Sequence, residues 1–328
     1  MAATMVDLAN TSKDPLEAGV AEMLLQYSDI MKEMNYETIG DLRVALSRVA
    51  VLPTVGYRAI GGAYTEGTAR FEQLEEDLSI IGHDIDLDRE LDGNKSQLVS
   101  LEQANIDATL KALSYRITDD FINGDRAANV NEVDGMFVRV GNLPARQTFD
   151  ASDGADLAVF SSTATLNTFA DAMDDAIFRM DNGRVSFIIG DEVSIRGIFS
   201  AYRRLGSGIV DYKTFALGGG EVSVRTLKLG TQTIPLLVAG FTNEGQGTRV
   251  MPSTETLGDG SADTASLLFV QQDKMHVTGL QKAGLRTKKF DELEARPVKR
   301  IRLDWVYGYS NWNDRSMVRL TGLRFATT

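Results

Sequence analysis

The residues best spaced for chemistry lie in one run, His83-Asp84-Ile85-Asp86-Leu87-Asp88. Three carboxylates at alternate positions could hold a divalent cation, which could activate water for hydrolysis. The D-x-D-x-D start fits a calcium loop. However, that loop's turn glycine would fall on Arg89 and its closing glutamate on Lys95. Strand alternation is the simpler account, with Ile85 and Leu87 facing inward and the three aspartates outward. Asp150, Asp153 and Asp156 form a second acidic group, in a segment with the Asp and Gly content of a surface loop. His83 and His276 are the only histidines, and cysteine is absent. Thiol nucleophiles, thiolate zinc sites and disulfides are therefore excluded, and histidine catalysis has few candidates. Neither a GxxxxGK phosphate loop nor a GxSxG elbow occurs. The clusters Gly206-Ser207-Gly208 and Gly218-Gly219-Gly220 lack dinucleotide-loop spacing. Trp305, Tyr307, Tyr309 and Trp312 could stack on bases, but core and interface packing is the commoner use of such residues. No catalytic, cofactor or metal residue is assigned, and the expectation is a protein that is not an enzyme.

The elements that carry these residues belong to an ordinary globular chain. Its 328 residues suggest two domains, or one elaborated domain, at ~100–200 residues each. Hydrophobic residues at 43% and charged residues at 24% exclude wholesale disorder. Lys and Arg number 34 against 46 Asp and Glu, a net charge of −12, the wrong sign for a protein that grips nucleic acid over its whole surface. No apolar run reaches the ~18 residues of a membrane span, and the N-terminus lacks the basic-then-apolar pattern of a signal peptide.

Asp14-Pro15-Leu16-Glu17 reads as a helix start. The stripe Leu16, Val20, Met23, Tyr27, Ile30 and Met34 predicts one amphipathic helix. Arg43–Leu46 and Leu78–Asp88 favour strands, around a glycine-punctuated stretch from Pro53 to Gly67. Together they predict a long hairpin with an irregular tip. A two-stranded hairpin cannot bury a face by itself, so it must lie on its own domain or on a neighbouring subunit. Asn94–Ile122 predicts a long helix stopped by Asn123-Gly124, with Val99, Ile106, Leu110, Leu113, Ile117 and Phe121 as its stripe. Residues 125–165 read as loop-rich. A mixed module follows, with helices over Leu166–Met180 and Asp191–Leu205 around a buried strand at Val185–Ile189. Further strands are expected at Glu221–Leu229, Thr233–Ala239, Ser266–Gln271, His276–Leu280, from Val298 onward, and Met317–Phe325.

Charge is segregated along the chain. Glu66–Asp92 carries ten carboxylates against Arg70 and Arg89, net −8, while the segment from Gln281 to the end carries eleven Lys and Arg against five acids, net +6. Such blocks can neutralise each other within a subunit or between subunits.

The order of these elements resembles tailed-bacteriophage major capsid proteins of the Hong Kong 97 type. The local text carries the likeness in Leu52-Pro53-Thr54-Val55, Tyr64-Thr65-Glu66, Phe71-Glu72-Gln73 and Phe121-Ile122-Asn123-Gly124-Asp125. It continues in Trp305-x-Tyr307-Gly308, Asn313 and Leu320-Thr321-Gly322. The resemblance implies an α+β capsid fold. Residues 1–37 would be the N-terminal arm and helix, 38–92 the extended E-loop and its base, and 93–129 the spine helix of the peripheral domain. Residues 130–280 would be mainly the axial domain, and 281–328 a C-terminal return to the peripheral domain. The implied function is self-assembly into hexamers and pentamers of an icosahedral shell around double-stranded phage DNA, assembled in the host cytoplasm and located in the virion. Further implied partners are scaffolding, portal and decoration proteins, with DNA bound without sequence specificity and no membrane. The expected intersubunit residues are Tyr57, Arg58, Phe71, Glu72, Glu75, Glu76, Asp77, Arg300, Arg302, Arg315 and Arg319, with the acidic limb facing basic residues of a neighbour.

Two departures refine this reading. The family's founding member cross-links through an E-loop lysine, yet no lysine lies between Lys32 and Lys95, so a non-covalent shell is expected. The first helix begins near residue 15, which points to a separate scaffolding protein or none. An encapsulin-like shell around protein cargo is the first alternative. A metal-dependent hydrolase using Asp84, Asp86 and Asp88 is the second.

Overall fold

The computed structural model describes residues 3–4, 6–7, 15–88, 101–152, 154, 156–206, 209–217, 220–243, 247–256, 263–293 and 296–325. A two-residue strand β1 (Ala3–Thr4) and helices α1 (Pro15–Tyr27) and α2 (Asp29–Glu33) lead to β2 (Asn35–Thr38). Strands β3 (Arg43–Val51), β4 (Arg70–Asp77) and β5 (Ser79–Asp88) precede the long helix α3 (Leu101–Asn123) and the short α4 (Met136–Gly141). After β6 (Thr148–Asp150) and β7 (Leu157–Ala158) come α5 (Thr163–Arg179), β8 (Phe187–Gly190) and α6 (Glu192–Leu205). The remainder is strand: β9 (Ile209–Leu217), β10 (Gly220–Leu229), β11 (Gln232–Val238), β12 (Ala265–Val270), β13 (Val277–Leu293), β14 (Arg296–Asn311) and β15 (Met317–Arg324).

Three sheets result. The first runs β1-β2-β13-β14-β5, the second runs β6-β15-β12-β8-β11-β10-β9 with β7 also on β15, and β3–β4 stand apart as a two-stranded hairpin. The continuous apolar runs of β8 and β12 follow from burial on both faces of the second sheet. Ile188, Leu267 and Phe269 join the core under α5 and α6, while Phe187, Ile189, Leu268 and Val270 join the core shared with α3 and the first sheet. Helix α3, ~35 Å long at 1.5 Å per residue, buries Ile106, Leu110, Leu113, Ile117 and Phe121 as its stripe predicts. Its expected first turns, including Val99, lie outside the described residues.

Several elements differ from expectation. The N-terminal helix is two helices, broken at Ser28, whose backbone is extended. The Ser28 hydroxyl lies 2.9 Å from that of Thr118 on α3, a buried bond that draws the residue out of helical register. The proposed cap at Asp14 lies outside the described residues. Strand β9 was not anticipated, and β13 runs on past Leu280 to Leu293. β13 and β14 form a long antiparallel ribbon with register shifts at Gln281/Ala283, Ala283/Arg286, Phe290/Glu292 and Glu292/Leu293. Of the C-terminal strands, β13 and β14 lie in the first sheet. β15 pairs with β12 in the second sheet, because its apolar Val318, Leu320 and Leu323 complete the core beneath α5 and α6.

The C-terminal aromatics are core. Trp305 stacks on Tyr307 with ring centres 4.8 Å apart, Tyr36 meets Trp305 edge-on, and Phe121 meets Tyr309 edge-on. All are buried, as is Trp312, and none is available to stack on bases.

Candidate assembly surfaces

The acidic run sits on β5, where alternation places Ile85 and Leu87 in the core and leaves Asp86 and Asp88 exposed. Antiparallel pairing sets Asp84 opposite Arg302 and Asp86 opposite Arg300 on β14. Both pairs are two-toothed. Arg300 donates to the two Asp86 oxygens at 2.6 and 2.7 Å, and Arg302 to both Asp84 oxygens at 2.7 Å. Hydrogen bonding from Arg302 holds the Asp84 carboxyl below its ordinary range, and Arg300 does the same for Asp86. Carboxylate oxygens committed to guanidinium groups are poor ligands for a cation. Among the described residues no cluster of three or more Asp, Glu, His or Cys is arranged for one. Asp150 accepts a hydrogen bond from the Thr321 hydroxyl, which fixes it to β15; Asp153 lies outside the described residues.

The acidic limb also has partners inside the chain at Glu75, Glu76 and Asp77. Cross-strand register brings Arg43 on β3 to Asp77 on β4 at 2.5 Å, and Arg43 also reaches Glu75 at 2.8 Å. Glu76 points to the body, where Arg139 of α4 donates to its two oxygens at 2.6 and 3.0 Å. The same guanidinium donates to the carbonyls of Asp134 and Tyr309, both at 2.8 Å. Arg126 lies 3.5 Å from Asp77. Nothing in the sequence singled out Arg139, which is 63 residues from Glu76; its position next to Phe137, Val138 and Val140 was the only cue that it would be held near a core. Beneath the hairpin base, Val44 packs with Ile39 on Leu78, Leu280 and Val306.

Arg315 is an internal clamp, donating to the carbonyls of Phe178, Arg179 and Met180 at the end of α5. Arg319 binds Glu255 at 3.0 Å and lies over the Phe137 ring at 3.9 Å. Burial is the main reason that the Glu255 carboxyl titrates above its ordinary range. Asp120 on α3 is also buried and raised for the same reason, while it accepts a 3.1 Å bond from the Tyr307 hydroxyl and pairs with Arg116 at 2.9 Å.

The hairpin tip is different. Val51 pairs with Arg70, and the arms continue in that register beyond the regular ladder. Gly67 lies flat against Thr54, where a Cβ would stand 2.8 Å from the Thr54 nitrogen, and Gly56 sits opposite Thr65. A turn at Ala59–Gly62 closes the tip with a 3.0 Å bond from the Gly62 N–H to the Ala59 carbonyl. Its third residue, Gly61, takes φ 83°, open to glycine without strain. The hairpin thus extends roughly 50 Å from Arg43 to the turn, at ~3.3 Å per residue. Leu52, Val55, Tyr57, Ile60, Tyr64 and Phe71 are all exposed along it, with Tyr57 and Ile60 as open as in an extended chain at 107% and 106%. Arg58 stacks on Tyr64 at 4.9 Å, so its charge stays beside an aromatic face at the tip. Glu72 is exposed on β4.

No family model and no curated protein sequence matches the chain. Solved structures do match in shape. The capsid of the native GTA particle superimposes with a TM-score of 0.59 at 13% identity, over 89% of this chain and 89% of that one. A structure of Mycobacterium phage Cain gives a TM-score of 0.56 at 12% identity over 99% of both chains. The SrpI encapsulin of Synechococcus elongatus PCC 7942 gives 0.57 at 12% identity, over 89% of this chain and 86% of that one. The chain has the Hong Kong 97 type capsid fold.

Proposed function

We propose that this chain is a major capsid protein that assembles, as hexamers and pentamers, into a closed icosahedral shell around double-stranded DNA. The observation that carries the reading is the projecting hairpin. It exposes a row of apolar side chains over both arms while every ion pair at its base is made at home. Apolar surface on that scale, at ~25 cal/mol per Å², is a standing drive to be covered. A shell covers it in every subunit at once by laying each hairpin on the next copy. Tyr57, Arg58, Phe71 and Glu72 are the contacts we assign to that overlap. The matched fold supports the same assignment, and an acidic inner surface that lets DNA slide during filling would account for the net charge.

Electron microscopy of the expressed full-length protein tests this. Closed shells are expected, and replacing residues 52–69 by Asn-Gly between Val51 and Arg70 should leave folded subunits that no longer close shells. A wild-type protein that stays monomeric at high concentration would refute the proposal. Shells that copurify with protein cargo and no DNA would replace the virion reading with an encapsulin-like one.

A further inference from the structure

Two groups of exposed charges on the helices over the second sheet lack ion-pair partners among the described residues. On α5 the outward stripe reads Asp171, Asp174, Asp175 and Phe178, at helical spacing, and all four are exposed. Asp175 is taken by Arg179 at 2.8 Å. Asp171 and Asp174 have no hydrogen-bond or ion-pair partner among the described residues. Burial, together with the Asp171 charge, raises the Asp174 carboxyl above its ordinary range. Beside Asp174 opens a pocket of about 450 Å³, floored by Ile177, Leu229 and Ile234 and rimmed by Phe178. Tyr202 lines it at 4% exposure, and its hydroxyl also lacks a hydrogen-bond partner among the described residues. An apolar floor, a carboxylate outside any ion pair and a phenol hydroxyl, with the exposed Lys228 also on the lining, can take a cation on an apolar stem.

The complementary row is on the neighbouring helix. Arg196 and Arg203 of α6 lie seven residues apart, two turns along one face, and both are exposed. Neither has a partner among the described residues, although α5 and α6 pack side by side. The two rows, one acidic and one basic, sit on adjacent helices packed over one core without pairing with each other among the described residues. Complementary patches on one molecule can join copies head to tail, giving rings where the rotation closes and open filaments where it does not.

We propose that the α5 face, with the pocket at Asp174 and Tyr202, receives Arg196 or Arg203 of a second copy of this chain. The contact would make head-to-tail rings through the second-sheet body. This inference rests on the shell reading and adds to it a specific interface, separate from the hairpin. Phe178 then covers the guanidinium plane, and Asp171 flanks it.

Charge reversal on each row, followed by exchange, tests the contact. Asp171→Arg with Asp174→Arg should abolish shells, and so should Arg196→Asp with Arg203→Asp, while thermal melting shows each subunit folded. The fourfold variant carrying both reversals should assemble again. Mixing the two double variants should restore six-membered rings, in which the types alternate, but not five-membered ones. The inference is overturned if either double variant assembles like wild type, or if the fourfold variant fails as the doubles do. Normal shells that have lost only their DNA in the arginine variant would likewise overturn it and assign that row to nucleic acid. A wild-type protein that never multimerises would remove the shell reading and this contact together, an outcome distinct from the others because it precedes any substitution.

Discussion

Removing Arg139 should loosen the hairpin from the body by an amount that the geometry fixes approximately. Its guanidinium makes two bonds to Glu76 and two to backbone carbonyls, with side-chain exposures of 10% for Arg139 and 18% for Glu76. Breaking a fully buried pair costs ~3–5 kcal/mol. The residual exposure of Glu76 lets water recover part of that, leaving about 2–3 kcal/mol for Arg139→Ala. Glu76→Ala should cost less, roughly 1–2 kcal/mol, because Arg139 keeps its carbonyl partners. In the double variant the losses should fall short of the sum by about 1–1.5 kcal/mol. Urea unfolding of unassembled subunits, followed by Trp305 and Trp312 fluorescence, reads all three. Losses that add to within ~0.5 kcal/mol would show that the pair is not coupled and refute its role in holding the hairpin.

Gly197→Ala places a methyl 2.2 Å from the Phe325 ring and should cost ~1–3 kcal/mol, measured by the same unfolding curves. The burial-raised carboxyl of Asp120 binds protons more tightly folded than unfolded, so its contribution is full below the ordinary Asp range and declines as pH rises through the folded value. The stability advantage of wild type over Asp120→Asn should therefore shrink from pH 4 upward; a growing advantage would reverse the assignment. Asp84 and Asp86 carry the opposite sign, since their lowered values give stability that is lost on acidification. Particles boiled in SDS should run as monomers, because no lysine lies between Lys32 and Lys95 to form an isopeptide bond in the hairpin; a ladder of multimers would contradict this.

The sequence made the helices and strands legible wherever one periodicity dominated. The α3 stripe and the Ile85/Leu87 alternation are local patterns, and the structure repeats them. The break at Ser28 was hidden because its cause is Thr118, ninety residues on. The destination of the acidic limb was hidden for the same reason. Composition shows that Glu75, Glu76 and Asp77 need cations, but only the register of β3–β4 and the docking of α4 select Arg43 and Arg139 over a neighbour's residues. The exposed tip was half visible: its glycines marked an irregular hairpin, while its bareness could be seen only with the body in place.

The β13–β14 ribbon bears on how a self-associating chain avoids associating wrongly. β2 covers β13 only at Gly279–Gln281, and beyond that the outer edge of β13 has no strand partner among the described residues. A straight open edge of that length would recruit any passing strand and grow fibres. Here the edge is interrupted by register shifts and carries Lys282, Arg286, Lys288 and Lys289, each of which would meet its own kind in a mispaired copy. Growth by strand addition is thereby discouraged along this edge.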